Sequence, residues 1–372
     1  MGIILKINKG IANAAIFLGC AGFALCVLGL YAVPAQFYRA YLQSFVYWSG
    51  LSLGAFAVYF LHLLTGGRWG MKIRPVLLAM IQTLPVIILF FLPVLLGLKH
   101  LYPWMHPDIV EASPILRHKA AFLNAHAFQI RALLYFLVWT LFMLMITRFE
   151  KRYAQAQNTA KKEHAQFFGG FGIILLALTY TLSSIDWVMS LDPEWYSVIF
   201  GLLYGMGQIL AALAFSVLFL ANGSGMEDAD KDTAISHHDL GNMMLAFVML
   251  WAYLAFSEYL IIWSGNLPEE ISWYLHRLRG GWQYIGIVLA LMQFAIPFLL
   301  LLMIPIKRNI KMLGKICLLI LVMRFIHIVW QVKPAFQEHF WPIHWLDLVI
   351  PLTMGIFWIS VFSYQMKRQK TK

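Results

Sequence analysis

Long apolar stretches, separated by short polar segments, follow one another along nearly the whole chain. A transmembrane helix needs about 20 apolar residues to cross a hydrocarbon core about 30 Å thick. Ten stretches are close to that length or longer: 11–33, 45–64, 76–98, 130–147, 167–187, 197–221, 240–263, 282–306, 313–331 and 343–364. The pattern therefore predicts an all-α, polytopic integral membrane protein with about ten transmembrane helices, folded as a single membrane domain over residues 1–372.

Two connections on one predicted side of the membrane are more than turns. The longest is a loop over residues 99–129, and its histidines are His100, His106, His118 and His126. The second, residues 188–196, places Asp192 directly before Pro193. Because Asp is favoured at the N-cap and Pro at the first helical position, this segment predicts a short interfacial helix that begins at Pro193.

A third connection on that side, residues 266–281, has the pattern of an amphipathic helix. Asn266 stands at the predicted N-cap, two acidic residues follow in the first turn, and Arg277 lies in the last turn. Apolar residues recur at helical spacing between them. We therefore expect a short helix lying in the membrane interface. The residues expected to be exposed there are Trp273, His276 and Arg277.

The composition agrees with a membrane location. Hydrophobic residues make up 61% of the chain and charged residues only 12%, about half of what a soluble globular domain carries. The cysteines, Cys20, Cys26 and Cys317, lie in apolar stretches and form no CxxC or CxxCH motif. Covalent c-type haem and an all-cysteine iron–sulfur cluster are therefore excluded within this chain.

The distribution of Lys and Arg predicts the orientation. With the N-terminus in the cytoplasm, 19 of the 28 basic residues, counted from Lys6 to Lys372, fall on the cytoplasmic side, and 8 fall on the other. The remaining one, Arg324, lies inside a span. Cytoplasmic loops carry the excess of basic residues, so both termini are expected in the cytoplasm and the three connections above on the outer side. The net charge of +11 is therefore attributed to membrane topology, and no nucleic-acid partner is expected.

Ionisable residues inside spans are the main functional candidates, because each costs about 2.5–3.5 kcal/mol at the bilayer centre. Arg324, His327 and Gln331 share one helix face at i, i+3 and i+7. Glu258 and Asp186 lie at suitable depths to neutralise Arg324. We expect Arg324, His327, Glu258 and Asp186 to form one polar cluster in the outer half of the membrane. The alternative is that Arg324 only ties two helices together through a carboxylate.

Four further residues are weaker candidates for quinone or proton handling: Asp347, His62, His238 and Asp239. Asp347 opens the tenth span on the outer side. A lone histidine such as His62 is more often hydrogen-bonded in the core, and His238 with Asp239 is more often a helix cap. His62 and His327 differ in expected depth, which argues against a haem held by two histidines. No bound cofactor and no metal site are expected.

Two stretches of unusual composition resemble a known family of respiratory membrane subunits. Residues 183–204 contain Asp-Trp-Val-Met-Ser-Leu-Asp-Pro, and residues 238–282 contain Ser-Gly-Asn-Leu-Pro-Glu-Glu. Both resemble the quinone-binding membrane subunit 2 of alternative complex III (ActF-like), a member of the NrfD group of polysulfide-reductase membrane subunits. Residues 1–180 match this family in general character.

The resemblance implies a subunit without redox cofactors, built from two four-helix bundles plus flanking helices, in the bacterial cytoplasmic (inner) membrane. Its implied partners are a sister NrfD-like membrane subunit and periplasmic subunits that carry iron–sulfur clusters and c-type haem. Such a complex oxidises quinol, including menaquinol, and reduces cytochrome c or a cytochrome oxidase.

The sequence therefore favours a membrane subunit of a quinol:cytochrome c oxidoreductase, which contributes quinone-facing surface and a proton path. Two alternatives stay open. A secondary transporter would explain buried polar residues and interrupted helices such as the one at Pro297. A structural anchor would use every intramembrane charge to pair helices.

Overall fold

The structure is a computed structural model that describes residues 9–153, 159–223 and 231–370. Lys6 and Lys372, which contribute to the charge bias, lie outside the described residues. Helices account for nearly all of the described chain, and no strand occurs in it. The predicted all-α fold is confirmed. Helices are expected in lipid, because the backbone polar groups must be satisfied within the protein and a helix does so within one segment.

Twelve helices of 10 or more residues form the architecture of the described chain. They are α1 Lys9–Ala32, α2 Pro34–Thr65, α3 Arg68–Ile81, α4 Leu84–Leu96, α5 Ala125–Tyr153, α6 Thr159–Trp187, α7 Phe200–Gly223, α8 Lys231–Gly265, α9 Pro268–Arg277, α10 Trp282–Leu302, α11 Ile310–Val332 and α12 Leu346–Lys370. Among the described residues, eight helices are long and apolar enough to span a membrane, and the bent pair α3–α4 makes a ninth. With α1, every predicted apolar window coincides with a helix, so the chain is a multi-pass membrane protein.

The third span is broken where α3 meets α4 at an angle of 42°. Pro85, in the first turn of α4, has no N–H to donate to the preceding turn. At the break, the Thr83 hydroxyl donates to the Met80 carbonyl over 2.6 Å, and the Thr83 N–H donates to the same carbonyl over 3.1 Å. Its Oγ1 also lies 2.7 Å from Ser52 Oγ on α2. The bend is thus a hydrogen-bonded feature of the fold.

The eighth predicted span is interrupted twice. Residues Ala290–Ala295 form a π-helical segment just before Pro297, whose missing N–H interrupts the normal hydrogen-bond ladder. The helix then ends at Leu302, and a separate short helix, Ile304–Arg308, begins with Pro305 in its first turn. The apolar window 282–306 therefore contains a span plus a short helix.

The spans form two four-helix bundles with two flanking helices. The first bundle contains α2, α3–α4, α5 and α6, and the second contains α7, α8, α10 and α11. Helix α7 packs on both α2 and α6 and so joins the bundles. At the crossing of α2 and α7, a Cβ on Gly54 would collide with the Gln208 carbonyl, so the two backbones touch. The flanking helices are α1 and α12, which pack on each other.

Helices α1 and α12 run antiparallel, since Gly22 lies against Thr353 and Gly29 against Leu346. The beginning of α1 and the end of α12 therefore lie on the same face of the molecule, which we call the terminus face. The opposite face carries the connections between α4 and α5, α6 and α7, and α8 and α10, and we call it the loop face. The 99–129 connection there folds into short helical segments: Leu98–Leu101, Pro103–Met105, Pro107–Ala112 and Pro114–Lys119.

The predicted helix at Pro193 is wrong. A short 3-10 turn, Met189–Leu191, precedes Asp192, and the chain then turns without forming a helix. The Trp195 N–H donates to the Asp192 carbonyl over 3.2 Å. Lys119 Nζ donates to the Pro193 carbonyl over 2.7 Å. The Lys119 side chain, from the 99–129 connection, thus donates to a carbonyl that would accept a backbone N–H if the segment were helical.

The predicted helix within residues 266–281 is confirmed as α9, but its boundary residues act differently. Asn266 is not the N-cap. It adopts a left-handed conformation with φ of 47° and ends α8, and its N–H donates to the Ile262 carbonyl. Leu267 precedes α9 without a side-chain cap. Gly280 and Gly281 both have positive φ and end the segment as expected.

The orientation of these faces stays a prediction and is testable with topology reporters. A reporter fused after residue 225 should report the cytoplasm, and one fused after residue 270 should report the outer side, because the basic residues favour the terminus face. Paired fusions to green fluorescent protein and alkaline phosphatase would measure both sites. Alkaline phosphatase activity after residue 225, with none after residue 270, would reverse the topology.

Candidate functional site

Arg324 and His327 form a buried polar pair in the second bundle. They lie one turn apart on α11, and Arg324 Nη1 donates to His327 Nδ1 over 2.8 Å. Arg324 Nη2 also donates to the Tyr204 carbonyl on α7 over 3.4 Å. A guanidinium has no acceptor atom, so His327 Nδ1 must accept this bond. While the bond is made, His327 is neutral and carries its proton on Nε2.

The fold makes room for this pair at one glycine and surrounds it with aromatic rings. A Cβ on Gly207 of α7 would collide with the Arg324 guanidinium, so the absence of a side chain there admits the arginine. The ring of Trp251 on α8 meets His327 edge-to-face at 5.2 Å between centroids. Trp330 stacks against His327 at 6.2 Å. His327 is therefore held by neighbours from two helices of the bundle.

Several polar groups of this bundle are buried without a hydrogen-bond partner in the described part of the chain. They are the side-chain amides of Gln331 and Gln293 and the indole N–H of Trp251. Gln331 continues the Arg324–His327 face of α11, and Gln293 lies in the π-helical segment of α10. An unsatisfied polar group is costly away from water, so bound water or a ligand would supply the missing partners.

The predicted pairing of Arg324 with Glu258 is wrong. Among the described residues, no carboxylate pairs with Arg324. Glu258 instead accepts a hydrogen bond from Ser197 Oγ at 2.5 Å and one from Tyr274 OH at 3.4 Å. Ser197 lies in the connection before α7, and Tyr274 lies on α9. These two loop-face segments pack over the end of α8, and their hydroxyl groups donate to the Glu258 carboxylate.

Asp186 is also outside the predicted cluster, because it belongs to the first bundle. Arg131 of α5 donates to it from Nε at 3.0 Å and from Nη2 at 2.6 Å, and Tyr135 OH donates at 2.7 Å. A two-nitrogen contact of this kind fixes both position and orientation. Asp186 therefore ties α5 to α6, as the structural alternative for the intramembrane charges predicts.

Asp347 has a similar structural role at the start of α12. It accepts from Lys333 Nζ at 2.7 Å and from Gln36 Nε2 at 3.2 Å. The His344 N–H donates to it over 3.0 Å. These bonds join the end of α11, the beginning of α2 and the first turn of α12 at the loop face.

The remaining candidates lie near the terminus face, away from Arg324. His62 is buried and packs on Trp69; its Nε2 lies 3.2 Å from the Gly67 carbonyl, and its Nδ1 has no hydrogen-bond partner among the described residues. His238 and Asp239 do not cap a helix, because α8 already begins at Lys231. His238 Nδ1 instead faces Asn242 Nδ2 at 3.3 Å.

Arg277 is the residue that sequence reasoning misjudged most, because it was expected on the surface and is only 1% exposed. Its Nε, Nη2 and Nη1 donate to the carbonyls of Trp330 at 3.1 Å, Gln331 at 2.6 Å and Trp273 at 2.7 Å. The carbonyls of Trp330 and Gln331 belong to the last turn of α11, where helical partners are lacking. Arg277 therefore caps the helix that carries Arg324 and His327.

The rest of α9 is packed around this cap. The Arg277 guanidinium lies 3.5 Å from the Trp273 ring centroid, and Trp273 stacks on Trp195 at 4.6 Å. Burial raises the pKa of the Asp192 carboxyl, while the nearby Arg277 and His276 oppose that shift. Trp273 is thus buried, contrary to expectation, while the His276 side chain is 59% exposed. The spacing of Trp273 and Arg277 at i, i+4 is the sequence signal that indicates such stacking.

The cap gives a stability prediction for Arg277→Lys. An ammonium cannot reach three carbonyls as a planar fork does, so at least one buried carbonyl loses its donor, at a cost of about 1–3 kcal/mol. The apparent melting temperature of the detergent-purified chain should fall by several degrees. The matched control is Arg279→Lys, because Arg279 is exposed two residues away. Equal melting temperatures for the two variants would show that Arg277 is not the cap that stabilises α11.

Within the described residues, no group of three or more His, Cys, Asp or Glu side chains is arranged to hold a metal ion. The chain was also compared with known proteins. No protein family matches it, and no curated protein matches it.

Proposed function

We propose that this chain is a membrane subunit of a quinol:cytochrome c oxidoreductase of the alternative complex III type. It contributes quinone-facing surface and proton handling, and partner chains carry the redox centres. The observation that supports this proposal best is the buried Arg324 cation, which has no carboxylate partner in the described chain and contacts a neutral histidine. A charge left unmatched in this way is costly, and such charges mark functional sites in membranes.

Quinol chemistry uses such an arrangement directly. A quinol oxygen must lose its proton as electrons leave, and a nearby cation favours the anionic form of that oxygen. Arg324 is always protonated, and the acids that could cancel its charge, Glu258 and Asp186, are bound by other groups. The Nε2–H of His327 is a hydrogen-bond donor suited to a quinone carbonyl. The pair therefore combines a fixed positive charge with a positioned donor.

The structural-anchor alternative accounts for the ion-paired charges and for Arg277, which donates to three backbone carbonyls, but not for Arg324. Arg131 with Asp186, and Lys333 with Asp347, are direct ion pairs of 2.6 and 2.7 Å that join neighbouring helices. Arg324 makes no such pair in the described chain. A role beyond joining helices therefore suits Arg324 better.

The secondary-transporter alternative is favoured by the helix interruptions. The bend between α3 and α4 and the π-helical segment of α10 are discontinuities of the kind that transporters use at binding sites. A transporter works without redox partners. Solute uptake by proteoliposomes that contain this chain alone would favour it over the respiratory function.

The proposed setting is the bacterial cytoplasmic membrane, with both termini in the cytoplasm and α9 on the periplasmic side. The basic-residue bias supports this orientation. Large apolar side chains on α8 are exposed, namely Tyr253, Phe256 and Trp263. They suit contact with lipid or with a sister membrane subunit. The proposed periplasmic partners are iron–sulfur and c-type haem subunits, with a cytochrome oxidase or cytochrome c as acceptor.

The test of the quinol function is His327→Gln in the native complex. Glutamine keeps polarity and approximate size but removes the imidazole, which donates from Nε2 and takes up a proton at Nδ1 only by releasing Arg324. Quinol oxidation should fall at least tenfold, within the range of lost acid–base catalysis, and its pH profile should change. Turnover of quinol by the purified complex measures both.

The matched control is His118→Gln, since His118 is an exposed histidine in the 99–129 connection. It should leave the rate and the pH profile unchanged. Normal assembly of the His327→Gln complex with wild-type rate and pH profile would refute the role of His327 in quinol chemistry.

A second prediction concerns the partner that docks on α9. A photo-crosslinking amino acid at position 276, where the native histidine is exposed, should capture a subunit that stains for covalent haem or contains an iron–sulfur cluster. The same amino acid at position 308, an exposed residue on the terminus face, is the control and should capture neither. Capture of cytoplasmic proteins alone from position 276 would contradict the proposed orientation and partner.

A further inference from the structure

The connection between α11 and α12 ends in an ordered loop, residues 336–345, which we call the aromatic loop. Its backbone forms no helix and no strand. The side-chain amide of Gln337 nevertheless holds it together, because it donates to the carbonyls of His339 and Phe340. The aromatic loop therefore has a defined shape, although it lacks regular secondary structure.

The aromatic loop is also fixed to the segment that joins α9 to α10. The Phe340 N–H donates to the Gly280 carbonyl over 2.9 Å, and Trp282 Nε1 donates to the Gln337 carbonyl over 3.2 Å. The rings of Trp282 and Phe340 meet edge-to-face at 5.2 Å between centroids. A Cβ on Gly280 would collide with the Glu338 carbonyl, so the two backbones touch. Whatever holds the aromatic loop therefore also holds the end of α9.

Three large apolar side chains of the aromatic loop remain on the surface. Trp341 is 68% exposed, and Ile343 and Trp345 are exposed as well. Residues 339–346 contain no Asp, Glu, Lys or Arg. Most of the Trp341 side chain thus packs against nothing in the described chain. An exposed apolar patch of this kind marks contact with another molecule or with a membrane.

This apolar patch continues into one face of α12. The Leu348 N–H donates to the Trp345 carbonyl over 3.1 Å, so Trp345 stands directly at the start of the helix. Leu348 and Leu352 follow Trp345 at i+3 and i+7 on the same helix face, and both are exposed. Because α12 is long and apolar enough to span a membrane, we expect these leucines to face hydrocarbon. The aromatic loop lies where this face of α12 reaches the loop face.

We propose that the aromatic loop inserts Trp341 and Ile343 into the bilayer leaflet at the loop face and so anchors the end of α9 at the membrane surface. Tryptophan suits this depth, because its ring is apolar while its N–H can donate to the polar headgroup region. The partner is the glycerol and upper acyl region of a bilayer phospholipid. Head-group charge is not selected, because residues 339–346 contain no Asp, Glu, Lys or Arg.

A protein partner is the other class of occupant for an exposed tryptophan. Lipid is favoured here, because the apolar patch is continuous with the exposed leucines of a span. The exposed polar residues of the aromatic loop, Glu338 and His339, come before the apolar stretch and lie on the side of the loop that contacts Gly280. The proposal does not rest on the proposed respiratory function, because it uses only the aromatic loop and α12.

Photo-crosslinking of the full chain in phosphatidylcholine nanodiscs tests this anchor. The probe p-benzoylphenylalanine, an aromatic amino acid that reacts with nearby C–H bonds, is placed at position 341 or at position 343. Both positions are exposed, so the probe should leave the melting temperature unchanged. After irradiation, peptide mass spectrometry should show a phosphatidylcholine adduct at both positions.

Position 352 on α12 is the positive control and should give the same adduct. The matched negative control is position 338 of the same loop, where the native residue is an exposed glutamate. A carboxylate at that position avoids hydrocarbon, so the lipid adduct there should be several-fold less abundant.

The same probes are then irradiated in native membranes, where the chain has its own partners. The lipid adducts at positions 341 and 343 should persist. Three results would each overturn the proposal: no lipid adduct at 341 and 343 while position 352 gives one, equal adduct yields at 338 and 341, or capture of a protein in place of lipid at 341 in native membranes.

Discussion

The structure depends on one constraint: every backbone polar group within the bilayer needs a partner from the protein itself. Regular helices meet it along most of the chain, so the informative places are those where helices break or end. At the α3–α4 bend, the Thr83 hydroxyl and the Thr83 N–H both donate to the Met80 carbonyl. At the end of α11, Arg277 takes up the carbonyls of Trp330 and Gln331. In both places the carbonyl groups accept from a side chain at one specific position. The hydrogen bonds of Arg277 also anchor α9 on the second bundle.

The same constraint sorts the buried charges into two kinds. Arg131 with Asp186, and Lys333 with Asp347, are matched pairs whose hydrogen bonds hold helices together. Removing one partner of such a pair would cost about 3–5 kcal/mol, so these residues are needed for folding whatever the protein does. Arg277 is structural too, because its guanidinium donates to three backbone carbonyls and caps α11. Arg324 differs, because it donates to a neutral ring and makes only one long bond, of 3.4 Å, to a carbonyl. Its charge therefore remains available to act on a bound molecule, and this is why the functional proposal centres on it.

The Arg324–His327 pair is deeply buried, so its electrostatic effect is strong and is screened by salt much less than that of an exposed charge. The positive-inside distribution predicts that α9, which caps the helix that carries Arg324, faces the outer side of the membrane.

The sequence by itself determined the helices and the one functional pair that lies within a single helix. Hydropathy places all ten apolar windows, and the i, i+3 spacing of Arg324 and His327 puts them in contact whatever surrounds them. Tertiary structure alone decided which groups meet across helices, because depth along a span says nothing about rotation around its axis. Glu258 meets Ser197 and Tyr274 for this reason, and Asp186 turns into the other bundle. The sequence predicts Arg277 on the exposed side of a short amphipathic helix, which has one exposed and one buried side. Only the packing of α9 on α11 decides which side chains are buried.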